Sequence, residues 1–240
     1  MQAHSRRDVF RLAAAAALLA QAARAQPSAA TLKIGTIGAG REGGALGAAF
    51  VKAGHQVLFS SRHPEGLKGL VDSIGVSAHA GTVAEAIAFG DVVLLVVPYS
   101  AVPDIGKEHG AALAQKKLVM DVTNAVAGRD GDIAQWVDEQ GGIGLATAKL
   151  IPGARLVRAF NAIGSARLSA DGHRQPEPVG VPIVGDDPQA IAIASDLIRE
   201  IGFEPVLVGG LDMGKYVTVR TPLAGEHTPA EIRQIAATLH

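Results

Sequence analysis

The chain has 240 residues, 48% of them hydrophobic and 19% charged, a balance that supplies a large buried core and excludes a disordered chain. Lysine plus arginine number 22 against 23 aspartate plus glutamate, so there is no basic footprint and no nucleic acid is expected as a partner. Cysteine is absent, which removes disulfides, thiolate metal sites and a cysteine nucleophile together.

At the N-terminus, Ser5-Arg6-Arg7-Asp8-Val9-Phe10-Arg11 precedes the apolar run 12–20 and then Ala23-Arg24-Ala25, a small-x-small cleavage site. Residues 1–25 therefore read as a twin-arginine signal peptide, with the twin-arginine export machinery as a partner and a periplasmic or otherwise exported location. The apolar run is roughly half of the ~20 residues needed to cross a bilayer, so no stable membrane span is expected. Without four leader arginines and one leader aspartate, 18 basic and 22 acidic residues remain.

Residues 26–31 form a polar, alanine-rich linker, and 32–240 read as one domain. Strands are predicted at 33–37, 56–60, 76–78, 92–97, 118–121, 156–159, 182–184 and 205–208. The run 92–97 has no polar alternation, as in a central strand buried on both faces. A helix follows Asp187, with Pro188 at its first position, an apolar face of Ala190, Ile193, Ala194, Leu197, Ile198 and Ile201, and Gly202 at its end. A short helical pattern at 229–239 closes the chain. The eight histidines show no metal-ligand spacing, so no metal is expected, and His55, His79 and His109 read as strand or loop positions without partners.

The chemistry concentrates after the first strand. Gly38-Ala39-Gly40-Arg41-Glu42-Gly43 follows it directly and opens a helical pattern at Ala45, Leu46, Ala49, Phe50 and Ala53. Glycines at that spacing let a diphosphate approach free backbone N–H groups at a helix N-terminus, so a dinucleotide is expected there. The second strand ends Phe59-Ser60-Ser61-Arg62-His63 instead of in the carboxylate that accepts from the ribose hydroxyls of NAD. Hydroxyls and a guanidinium suit a 2′-phosphate, so NADP(H) is the expected cofactor. The strand-helix alternation with this early glycine turn predicts an α/β fold: a doubly wound, mostly parallel Rossmann-type sheet with helices on both faces and a short C-terminal helical extension.

The succession of Gly38 to Gly43, Ser61-Arg62, Val97-Pro98, Asp121-Val122-Thr123-Asn124, Ala159-Phe160-Asn161 and Gly185-Asp186-Asp187 resembles the coenzyme F420-dependent NADP oxidoreductase family. The resemblance implies one Rossmann-like domain that moves hydride between NADPH and a deazaflavin, and a related domain serves as the NADPH-binding part of membrane metalloreductases. By the same resemblance, Ser61 and Arg62 hold the 2′-phosphate and Pro98 lies beside the nicotinamide. Asn124 and Asn161 follow later strands and face the same crevice. Tyr99, Ser100 and Thr123 join them as polar groups expected near the nicotinamide, and Leu211 to Tyr216 aligns with a segment near the acceptor.

The expected function is an NADP(H)-dependent oxidoreductase with a flavin, a deazaflavin such as coenzyme F420, or a ferric complex as its small-molecule acceptor. The alternative is a non-catalytic NADP-binding structural or sensing module, and a homo-oligomer is left open. The sequence departs from the family pattern at Glu42, an acidic side chain that repels a diphosphate unless it turns outward or pairs with Arg41. It departs also in its ending, and in a leader that removes the protein from the cytoplasmic NADPH pool.

Overall fold

The computed structural model describes residues 31–239; the twin-arginine leader and residues 26–30 of the linker lie outside the described residues. The first strand, β1 (Lys33–Ile37), is buried at four of its five positions and is flanked by β2 (Gln56–Ser60) and β4 (Val92–Leu95), both parallel to it. With β3 (Ala78–Gly81), β5 (Leu118–Asp121), β6 (Leu156–Arg158), β7 (Gly180–Gly185) and β8 (Glu204–Gly209), these strands make one sheet in the order β3-β2-β1-β4-β5-β6-β7-β8. Pairing is parallel throughout except where β7 runs antiparallel to β6. The chain winds outward from β1 to β3, returns to β4 and winds the other way, so the strand order reverses between β1 and β4. In such sheets a crevice opens at the carboxyl ends of the strands at that reversal.

Successive side chains of the central strands feed opposite faces. Val92 and Leu94 join a core with Leu46 and Phe50 of α1 (Arg41–Lys52) and with Ala194, Leu197 and Ile198 of α9 (Pro188–Glu200). Val93 and Leu95 join a second core with Ile87 of α3 (Val83–Phe89), Val102 and Leu113 of α4 (Val102–Leu113) and Ala146 of α7 (Ile143–Leu150). Residues apolar at both parities fit a strand covered on two sides, which the alternation-free run at 92–97 predicted. The remaining helices are α2 (Lys68–Ile74), α5 (Ala127–Asp130), α6 (Asp132–Glu139), α8 (Ser165–Ala170) and α10 (Pro229–Ala236). Asp187 caps α9 by accepting from the Ala190 N–H at 2.9 Å, and α10 packs Ile232 with Val184, Val206, Val217 and Leu223 in a small C-terminal core.

The third strand begins two residues later than predicted. Gly75, at φ 119°, ends α2, and the Ala78 N–H closes a turn onto the Gly75 carbonyl at 2.9 Å, which leaves Val76 97% exposed. A β-former in that turn has no sheet to join. The strand predicted at 92–97 stops at Leu95: the Val96 N–H still reaches the Ile37 carbonyl, but Val97 and Pro98 leave the sheet for the crevice. The one predicted at 156–159 stops at Arg158, ahead of Phe160 at φ 63°. His55 is a correction: it is buried, its Nδ1 accepts from the Leu32 N–H, and its Nε2 lies 2.5 Å from Glu200 Oε2. His109 is another, since it sits on α4 and lines the crevice. No helix among the described residues is long and apolar enough to cross a membrane.

Candidate nucleotide-binding site

The turn from β1 into α1 uses its three glycines differently. Gly38 has φ 102°, a conformation side chains disfavour, and a Cβ there would meet the Val96 carbonyl oxygen at 2.3 Å. A Cβ on Gly43 would lie 2.1 Å from the Gly38 carbonyl oxygen, so its absence lets the helix sit on the turn. A Cβ on Gly40 would meet nothing within 4 Å, because that position faces open space in the crevice. Gly40 is also the N-cap of α1 and has no side-chain cap, which leaves the first-turn N–H groups to be satisfied from outside.

Two cavities meet at this turn. The first, about 870 Å³, is lined by Gly38, Ala39 and Gly40, by Ser60, Ser61 and Arg62 after β2, and by Val97, Pro98 and Ser100 after β4. The second, about 390 Å³, is lined by Arg41, Glu42 and Gly43, by Thr123, Asn124 and Arg129, and by Phe160, Asn161 and Ser165. Gly40, Val97 and Pro98 belong to both, so the two form one trough across the strand reversal. An extended ligand placed along it would have its middle against the α1 amides.

Arg62 stands at the far end of the first cavity, exposed, with no ion pair among the described residues. The Ser61 hydroxyl accepts from the His63 N–H at 3.1 Å and shapes this turn. Ser60 is fully buried and its hydroxyl donates to the Thr36 carbonyl at 2.6 Å, so its polar group ties β2 to β1. His63 does not line the cavity; it is exposed and lies 3.4 Å from Glu65. Sequence reasoning missed Ala101, the N-cap of α4, and Asp104, Ile105 and Glu108 on one face of that helix, which together form a wall of the first cavity. Their three- and four-residue spacing after Val97-Pro98 was the available signal.

The second cavity rests on a buried polar network. Asp121 and Arg158 are both fully buried and paired at 2.7 Å. Asp121 also accepts from the Thr123 N–H and hydroxyl at 2.8 and 2.6 Å and from the Thr147 hydroxyl at 3.0 Å. Arg158 donates onward to the carbonyls of Thr123 and Val217. A buried pair with this many added hydrogen bonds holds its surroundings in one geometry. Asn161 hangs from it, donating Nδ2 to the Asp121 and Thr123 carbonyls at 3.0 and 2.8 Å, while its Oδ1 is buried with no partner. The preceding Phe160, at φ 63° and packed edge-on against Phe203, turns the chain so that Asn161 reaches the wall.

Asn124 lines the same cavity with both polar ends engaged, Nδ2 on the Asn161 carbonyl and Oδ1 accepting from Thr218. Arg129, unforeseen, reaches the Asn124 carbonyl at 2.5 Å and is fixed by Asp130 at 2.8 Å. Burial pushes the Asp130 carboxyl up, but hydrogen bonds from Arg129 and from the Val126 and Ser100 N–H groups outweigh it and hold the group below the usual carboxylate range. Glu42 lines the second cavity beside Gly40, Arg41 and Gly43. Burial raises its carboxyl from 4.5 to about 7 against the opposing effects of the Ser165 N–H and Arg41.

One expectation fails. Tyr99 lines neither cavity: it is fully buried, with its hydroxyl 3.2 Å from that of Thr147, and belongs to the core. The segment Leu211–Lys215, a 3-10 turn, has a packing role: Gly144 of α7 allows the Leu211 carbonyl within 2.1 Å of its would-be Cβ, and the segment lines neither cavity.

The fold and the uncapped glycine turn define a Rossmann-type α/β domain with a cavity at its strand reversal. Residues 33–125 match the family described as NADP oxidoreductase coenzyme F420-dependent. The chain is 29% identical over 194 residues to the metalloreductase STEAP3 of Rattus norvegicus, covering 78% of itself and 35% of that protein; it thus spans about a third of the length of this curated relative. A hypothetical protein from Sinorhizobium meliloti superposes with a TM-score of 0.70 at 29% identity, over 82% of this chain and 95% of that one. A protein of Arthrobacter sp. described as a proposed F420-dependent NADP-reductase shares the fold at a TM-score of 0.64 and 18% identity, over 77% and 87% of the two chains.

Proposed function

We propose that the protein transfers hydride between NADPH in the trough and a small conjugated acceptor, a flavin or an F420-like deazaflavin, in the second cavity. One observation carries this reading: the two cavities are joined at Gly40, Val97 and Pro98, with a free arginine at one end and an orphaned buried acceptor, Asn161 Oδ1, at the other. NADP fits these residues. Open space at Gly40 admits a diphosphate against the α1 amides, Arg62 and Ser61 can pair with a 2′-phosphate, and Asn161 Oδ1 can accept from a carboxamide N–H.

Bound there, the nicotinamide supplies hydride. The protein's part is placement and dryness. Val96, Val97, Pro98 and Ile163 provide apolar walls, and the Asp121–Arg158 network fixes Asn161. The family description names coenzyme F420 and the rat relative's name a metalloreductase, which supports a deazaflavin first and a ferric complex as a second acceptor. The leader motif supports export with the nucleotide loaded beforehand. Steady-state NADPH oxidation with a flavin, a deazaflavin and a ferric chelate tests the reading. Turnover with one of the ring acceptors is expected; bound nucleotide that no acceptor oxidises would favour a non-catalytic module.

A further inference from the structure

Among the described residues Glu42 is the one carboxylate lining the second cavity, and the proposed hydride transfer does not itself use it. It stands in the first turn of α1, lines this cavity together with Gly40, Arg41 and Gly43, and is stabilised as the carboxylate by the Ser165 N–H of α8. Its Oε1 is buried and has no partner. Asn161, 2% exposed, offers a second orphaned acceptor oxygen on the wall of the same cavity. With Asn161 Oδ1 given to the carboxamide, Glu42 Oε1 is the oxygen left without a partner, and it calls for a ligand that brings a hydrogen-bond donor. A carboxyl can also do what an amide cannot, since it can hand over a proton.

We propose that Glu42 is a catalytic acid and base whose carboxyl exchanges the proton that accompanies hydride to the ring acceptor. This rests on the reading of the cavity as an acceptor site. In the direction of acceptor reduction, the C4–H bond of the reduced nicotinamide breaks and its electron pair forms a bond from hydrogen to the acceptor ring. The pair displaced within the ring collects on a ring nitrogen or carbonyl oxygen, which takes the proton from Glu42. The carboxylate then regains a proton from water at the cavity mouth. In the reverse direction the carboxylate removes that proton.

The carboxyl is suited to both tasks near neutrality, as burial holds it at about 7. The charged groups on the elements around it are Arg41 on its own helix, Arg129 across the cavity, and Arg167 with Asp171 on and just after α8. Arg41 favours the carboxylate after the proton has left, while Arg129 is already paired with Asp130.

The test compares wild type, Glu42→Gln and Glu42→Asp with NADPH and a flavin or deazaflavin. Nucleotide affinity is read separately by NADPH fluorescence, and rates are read across pH and in deuterated water. Wild-type acceptor reduction should fall as pH rises through about 7, with a solvent isotope effect, and reoxidation should show the mirror profile. Glu42→Gln should bind NADPH within threefold of wild type, lose about 100-fold in rate and lose the pH limb, and Glu42→Asp should restore part of both. A glutamine variant with the wild-type rate and profile overturns the proposal while leaving the acceptor site in place. If NADPH binds and no acceptor is reduced by any of the three proteins, the oxidoreductase reading and this proposal fall together.

Discussion

Gly40 and Gly43 separate folding from binding within one helical turn. At Gly40, φ −71° and ψ −166° suit any residue and a Cβ meets nothing within 4 Å, so Gly40→Ala should leave stability unchanged or raise it by about 0.4 to 1 kcal/mol through the unfolded chain. That methyl would stand where a diphosphate must approach the α1 amides. Losing one charge-assisted hydrogen bond costs about 1.5 to 3 kcal/mol, so NADPH affinity should fall roughly 10- to 150-fold. Gly43→Ala places its methyl 2.1 Å from the Gly38 carbonyl oxygen, and only a backbone shift relieves that contact. This variant should lose more than about 3 kcal/mol, the upper range for overpacking, and melt well below wild type before binding is measured. Thermal melts without nucleotide, followed by NADPH fluorescence titration, read both quantities. A Gly40→Ala protein that binds NADPH like wild type would refute the placement of the diphosphate.

Arg62→Ala has no ion pair to break among the described residues, so it should weaken NADPH by about 1.5 to 3 kcal/mol and leave NADH nearly untouched; equal losses in titrations of the two would place the 2′-phosphate elsewhere. Arg158→Met strands the buried Asp121 carboxylate and should cost about 3 to 5 kcal/mol by chemical denaturation, with Asp121→Leu/Arg158→Met together recovering much of the loss. Asp130 is held below its ordinary value of 3.8, so its contribution is complete above that pH and is lost as pH falls below it; in acid titrations followed by circular dichroism, Asp130→Asn should remove part of the wild-type loss in that window. Thr82→Ala breaks the capping box with Glu85 that starts α3 and should cost about 1 kcal/mol in the same denaturation assay.

That the glycine turn and the end of β2 share one cavity was readable because those signals are local. Three glycines after a strand, then Ser61-Arg62 at the end of the next, are short-range statements about backbone and charge, and the fold puts them along one cavity. The sheet was legible for the same reason, through apolar runs between turn residues. Side-chain direction was not. Glu42, two residues after Gly40, gave no local sign of where its side chain points, and the packing of α1 on α8 buries it. Tyr99 looked like a polar group at a strand end, yet it points inward because α7 brings Thr147 beneath it. Asp104, Glu108 and Arg129 come from helices whose rotation about the sheet no local pattern fixes. His55 gained its partners from Glu200, 145 residues away.

The most direct measurement is a crystal structure of the protein soaked with NADP. The account predicts a diphosphate on the Gly40 to Glu42 amides, a 2′-phosphate at Ser61 and Arg62, and a nicotinamide between Pro98 and Asn161 with its carboxamide on Asn161 Oδ1. A nucleotide lying outside the trough, or one whose diphosphate avoids the α1 amides, would contradict it.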